Sequence, residues 1–357
     1  MLAARTLPLV IALASLGCQI PDAHPPQAAP PPPPPAYGFP APYGAYYPPP
    51  PVPAGPALPP SPPPQTVYQP PPAPTAAPAP PPAAPPEVHR PLLGALVGSL
   101  VWQAEARAVL AELASNLTAE QQRLVAGVPL VFDPSPNEVN AFAACDDQGA
   151  PFVAGTEGLL EAIDAIAQTK ATDELYGTHT YDAYTAEVLP KLVSSTSASP
   201  GLPAGVLPAT AWTDPKRVSR AHEMFDEIVA FTFGHELAHH YRGHTGCAHG
   251  QPSGIPPAAS DVRRLASLAI PLVNQLNENE ADQYGCFDVL ATGRARAGRA
   301  YRWTEEGGLM LFDFFARLDA ASGANPLVGF LRTHPAPGLR IPQVQFWAAT
   351  WHFQNPG

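Results

Sequence analysis

Between Ser219 and Arg242 the chain places apolar residues at Met224, Ile228, Val229, Phe231, Phe233 and Leu237. This spacing, close to helical, predicts one long, largely buried helix, ended by Gly243. A second helical pattern runs through LVNQLNENEADQYGCFDVL, residues 272–290, and others from about Leu96 to Leu124 and from Thr304 to Leu318. Short apolar runs at Pro129 to Phe132, and through the segments around Asn140 and Phe152, read as strands. Thr156, at the head of TEGLLEAI, is placed to cap a helix. These elements predict an α+β domain, helix-dominated, with a small β-sheet.

Upstream of residue 92 no such pattern exists. Of the 52 prolines in 357 residues, 33 fall between Pro21 and Pro91. A segment of Pro, Ala and Tyr with almost no charge cannot bury enough apolar surface to offset its ordering entropy. In polyproline II form its length would reach on the order of 200 Å, a semi-rigid spacer; its tyrosines (Tyr37, Tyr43, Tyr46, Tyr47, Tyr68) leave open a contact with cell wall or a proline-recognising partner. Before it, MLAARTLPLVIALASLGCQIP joins a basic residue, a short apolar run and small residues before Cys18, the pattern of an export signal. The ending ASLGC resembles a bacterial lipoprotein processing site, which would make Cys18 a lipid-bearing first residue, although Ser15 stands where leucine is usual. The expected organisation is therefore 1–18 signal peptide, 19–91 Pro-rich linker and 92–357 catalytic domain, exported to the cell envelope and tethered to a bacterial membrane.

Charges cancel before Leu92, so the formal net charge of -11 belongs to the C-terminal domain. Nucleic acid is an unsuitable partner for it. Cys145, Cys247 and Cys286 remain there in an exported context where a disulfide is permitted. A Cys247 to Cys286 bridge is the expectation, since it would tie the end of the histidine helix to the next motif.

The candidate chemistry lies in FTFGHELAHHYRGH, residues 231–244. His235 and His239 are four apart, one turn along a helix face, as two imidazoles on one zinc ion require. Glu236 lies about 100° round the helix, beside such an ion and free to act as a base. His240 and His244 form another such pair, read as partly exposed polar residues at a helix end, and His249 is discounted likewise. A catalytic zinc needs a third protein ligand and an open place. Glu278 and Asp282 share a face of their helix, so one can bind the metal while the other accepts the second ring N–H of a ligand histidine. Glu280 points elsewhere.

HELAH followed by ENEAD resembles the gluzincin peptidases of the CAAX prenyl protease type 1 and HtpX group, in particular their soluble, exported bacterial relatives. The resemblance implies a zincin fold with one Zn2+ per chain, Glu278 as the third ligand and Asp282 as its supporting partner. NEVNAFAACDDQGAPFVAGTEGLLEAI resembles the group's edge-strand segment, which implies that Asn140, Ala141, Phe142 and Ala143 lie beside the zinc and hold an extended peptide by adding a strand. RTHPAPGLRI resembles its Thr-His-Pro segment (Thr333, His334, Pro335), with Arg340 six residues after the histidine. There His334 would stabilise the oxyanion or cap the zinc reversibly, and Arg340 would assist. The Ser-, Pro- and Gly-rich stretch Lys191 to Pro215 departs from the group and is expected to be a surface loop able to cover the cleft. The function implied is a zinc metalloendopeptidase acting on unfolded or envelope polypeptides, with Glu236 as general base. The alternatives are a tethered zinc-binding holding protein of the same fold, and a structural lipoprotein in which the Pro-rich arm matters most.

Overall fold

The structure is a computed structural model and describes residues 91–247, 275–298, 301–323, 334 and 337–356. The calls on the signal peptide with Cys18 and on the linker, and those on Thr333, Pro335 and His249, lie outside the described residues.

The stretch expected as one helix from Leu96 to Leu124 is two, α1 (Ser99–Ser115) and α2 (Ala119–Val125). The break comes at Asn116 to Thr118, where the Thr118 side chain accepts from the Gln121 amide and the Gln121 side chain from the Thr118 amide. This reciprocal cap starts a new helix rather than continuing the old one. Three strands follow, β1 (Leu130–Asp133), β2 (Ala141–Cys145) and β3 (Pro151–Thr156), in the order β1-β3-β2, with β1 parallel and β2 antiparallel to β3. Thr156 caps α3 (Glu157–Tyr176) through its hydroxyl, which accepts from the Leu159 amide. Then come α4 (Thr180–Ser194), a 3-10 turn at Ala209–Thr213, α5 (Pro215–Tyr241), α6 (Gln275–Ala295), α7 (Glu306–Ser322) and α8 (Pro337–Gln354). None of the described helices is long and apolar enough to cross a membrane.

The predicted histidine helix, α5, is the axis of the domain. Asp214 caps it by accepting from the Lys216 and Arg217 amides, and Pro215 at its first position gives up no hydrogen bond. It packs against α1, α2, α3, α6, α7 and the sheet, so from Phe225 to Tyr241 every residue is buried. A helix apolar on most of its circumference has no other stable position. Gly243, at φ 78°, turns the chain out of it.

One expectation is corrected here. The disulfide joins Cys145 to Cys247, not Cys247 to Cys286. Cys145 closes β2 at a Cα distance of 5.9 Å from Cys247, whereas Cys286 is fully buried in α6 with its thiol pushed well up by burial. The Ser-, Pro- and Gly-rich stretch lies at the surface, as expected, with all but a few of its residues exposed or half-buried. Tyr184 Oη donates to Pro200 O at 2.6 Å, Ser199 Oγ donates to Glu161 at 3.0 Å and Arg217 Nε donates to Ala211 O at 2.9 Å. These tie it to α4, α3 and the start of α5.

The bridge closes a loop of 102 residues. Replacing Cys145 and Cys247 together by Ser should lower Tm by about 10 °C, read by thermal denaturation. Cys286 should stay unreactive to thiol reagents until the domain unfolds; its modification in the native state would contradict the placement.

Candidate metal centre

The site forms where α5 and α6 come closest. A Cβ on Gly285 would stand 2.9 Å from the His235 amide nitrogen and 3.0 Å from its Cα, so only glycine admits this approach. Gly285 lies seven residues after Glu278 and three after Asp282, on the same face of α6. It sets the depth at which those two carboxylates meet the α5 histidines.

His235, His239, Glu278 and His334 each offer one ligand atom within 4.8 Å of the others, and all four are buried. This group could hold a metal ion. His235 Nδ1 lies 3.0 Å from Asp282 Oδ1 and donates to it. His239 Nδ1 lies 3.0 Å from His244 Nδ1, and His244 Nε2 lies 2.9 Å from Glu280 Oε2. Glu280 can only accept, so His244 Nε2 carries the proton, its Nδ1 is the acceptor, and His239 Nδ1 is the donor. With both rings neutral, each α5 histidine turns an Nε2 lone pair inward, and these two atoms are 3.1 Å apart. The Glu278 carboxylate completes the set at 3.2 Å from His239 Nε2 and 3.5 Å from His235 Nε2. Two lone pairs and an anion facing one another in a dry interior call for a cation. Two imidazoles and a carboxylate suit Zn2+, so the residues fit the ion expected.

The titration behaviour shows the same demand for positive charge at the carboxylates. Burial works against a charged His235, yet Asp282 and Glu278 outweigh it and push its pKa up. Burial likewise opposes ionisation of Glu278, but the His334 charge and the histidine hydrogen bonds hold its carboxyl far below the usual range.

His334 stands between the carboxylates, with Nδ1 2.7 Å from Glu278 Oε2 and Nε2 3.3 Å from Glu236 Oε1. Nε2 also donates to the Ala141 carbonyl at 3.1 Å. Burial would lower its pKa, but Glu278 and Glu236 hold it up to about 10, so it carries a positive charge across the mouth of the site. Glu236 Oε2 is buried and accepts no hydrogen bond.

Arg340 occupies a different place from the one expected. Its Nε and Nη2 donate to Asp282 at 2.7 and 2.5 Å, Nη1 lies 3.1 Å from Glu278, and its guanidinium lies over the Phe312 ring. Nη2 also lies 3.3 Å from His235 Nδ1, so the guanidinium braces Asp282, Glu278 and the His235 ring.

The substrate-strand residues divide. Asn140 O accepts from the Thr156 amide and Ala150 O from the Asp146 amide. With the register of β2 on β3, this turns the main chain of Asn140 and Phe142 toward β3 and that of Ala141 and Ala143 outward. The Phe142 ring packs on Phe152. Only Ala141 and Ala143 offer an edge.

His240 and His244 do not form a pair. His240 is fully buried, with Nε2 2.8 Å from the Phe152 carbonyl and Nδ1 3.0 Å from Thr245 Oγ1. It ties α5 to β3, and burial pushes its pKa down to about 4. His244 instead orients His239, and Arg242 holds Glu280 at 2.9 Å in turn. Sequence reasoning missed His244 and Gly285. The His244 side chain leaves the helix after Gly243, so i, i+4 counting misplaces it; a glycine at i+7 from Glu278 was the one available signal for the close approach. Set against protein-family models, curated proteins and solved structures, the chain matches none.

His244→Ala and Gly285→Ala should each weaken zinc affinity by about 10- to 100-fold, measured by competition with a chromophoric chelator. Affinity unchanged in both would show that the helix contact and the His244 bond do not shape the site.

Proposed function

We propose that this chain is a zinc-dependent endopeptidase of the gluzincin kind, with His235, His239 and Glu278 as the metal ligands. The observation that carries the reading is the buried Glu236 Oε2, a carboxylate oxygen with no hydrogen bond, next to two Nε2 lone pairs and the Glu278 anion. Binding alone does not require such a group. A zinc ion here would polarise the scissile carbonyl and lower the pKa of a water bound beside it.

The chain's own residues supply the rest. Glu236 takes a proton from the attacking water and passes it to the leaving amine. The outward main chain of Ala141 and Ala143 aligns an extended polypeptide. Asp282, held by Arg340, fixes the His235 ring, and His244 fixes that of His239. His334 must leave the Ala141 carbonyl before a substrate strand can bind there; once displaced, it is placed to donate to a developing oxyanion. In this reading the export segment and the Pro-rich arm carry the domain to the cell envelope, with Cys18 as the lipid anchor and unfolded or envelope proteins as substrates.

A second reading, a tethered zinc-binding holding protein of the same fold, is favoured by one observation: His334 engages Glu236 and the edge carbonyl together, so the site as it stands is closed to a strand.

Casein cleavage by zinc-loaded protein separates the two. Glu236→Gln should keep its zinc and lose activity by about 1000-fold or more. His334→Ala should cleave faster than wild type if the histidine chiefly blocks the edge, and more slowly if oxyanion donation dominates. Zinc bound with no cleavage by wild type or His334→Ala would favour the holding protein.

A further inference from the structure

A second group of ligand-type side chains lies near the other end of α5. His222 and Asp226, four apart on one face, meet Glu105 of α1, and all three offer ligand atoms within 4.8 Å of one another. His222 Nδ1 is 2.7 Å from the Gly94 carbonyl. A carbonyl only accepts, so Nδ1 carries a proton and the ring is turned with Nε2 toward the carboxylates. There Glu105 Oε1 stands at 3.3 Å and Asp226 Oδ1 at 3.7 Å.

Asp226 is 4% exposed. Its Oδ2 accepts from the Tyr301 hydroxyl, while Oδ1, aimed into the group, makes no hydrogen bond, nor does His222 Nε2. Burying a carboxylate oxygen in this way is costly unless something positive is shared with it. Arg296 acts on Glu105 and Asp226 through space, but its guanidinium stacks on Tyr301 and Trp303 and its Nε reaches Glu112 at 3.7 Å. No described ion pair joins it to Glu105 or Asp226.

We propose that Glu105, His222 and Asp226 form a second cation site, for a divalent ion of the zinc or manganese class. Ligand bonds of about 2.0–2.2 Å place two tetrahedral ligands roughly 3.3–3.6 Å apart, close to the separations that His222 makes here. One imidazole and two carboxylates suit these ions and not the softer ones. The carbonyl bond at Nδ1 fixes the ring as supporting bonds fix ligand histidines elsewhere. The Glu105 side chain is 30% exposed, which leaves a path for the ion and room for water to complete its shell. The role is structural. The ion clamps α1 to α5, and through Gly94 it holds the segment by which the chain enters the domain; Leu93 N donates to Ser219 Oγ at 2.9 Å alongside. Asp226 lies nine residues before His235, about 14 Å along the helix, so the site is separate from the proposed peptidase centre and does not rest on that reading.

The test uses the full chain with His235→Ala and His239→Ala, which removes the first site. Metal content after gel filtration from excess Zn2+, or from Mn2+, should be one ion per chain, with a rise in Tm of about 5 °C over chelator-treated protein. Adding Glu105→Gln, a partly exposed and conservative change, should remove both the ion and the rise. If the double variant does not fold, the same comparison on the wild-type background should read one ion fewer with Glu105→Gln. No ion in the double variant, or uptake and Tm rise unaffected by Glu105→Gln on either background, would overturn the proposal. His222 would then be an imidazolium paired with the two carboxylates.

Discussion

Everything about the centre of this domain follows from burying too much negative charge in one place. Glu236, Glu278 and Asp282 are each at most 2% exposed, and they share their pocket with inward-facing imidazole lone pairs. Water cannot solvate them there, so the protein must supply the opposite charge. Arg340 and a protonated His334 supply two positive charges against three carboxylates, and a divalent ion among His235, His239 and Glu278 would more than cover the remainder. The groups behind the ligands, Arg340 on Asp282 and Arg242 on Glu280, extend the same compensation outward.

That demand constrains the fold. The ligands come from two helices whose backbones must nearly touch, so α6 has glycine where it crosses His235. They also sit beside a strand, so β2 lies at the sheet edge with Ala141 facing His334. α5 is buried over most of its length because it carries the site on one side and the core on the others. The disulfide fixes the edge strand to the loop that leaves α5.

Much of this was legible in the sequence. Apolar spacing located α5, and the i, i+4 rule placed His235 with His239 and Glu278 with Asp282, because regular helices translate spacing into geometry. The helix-dominated α+β class, the small sheet and the Thr156 cap were legible for the same reason. Where the chain leaves regular structure, spacing lost its meaning. His244 lies beyond the Gly243 turn and swings back to His239. His240, expected at a partly exposed helix end, stays within α5, and its burial against β3 depends on tertiary packing that spacing does not encode. The cysteine pairing depended on tertiary proximity of β2 to residue 247, which no local pattern encodes. Arg340 was expected to assist His334, and its pairing with Asp282 and Glu278 was not legible, because position in a motif does not say which carboxylate a guanidinium will meet.

The most direct test of the central claim is the location of an ion. A crystal of the zinc-soaked protein, with data collected on both sides of the zinc absorption edge, should give an anomalous peak bonded to His235 Nε2, His239 Nε2 and a Glu278 oxygen at about 2.0–2.2 Å. Peaks only elsewhere, with these three side chains keeping their mutual contacts, would contradict the account. The charge would then be balanced by protons, and the centre would not bind metal.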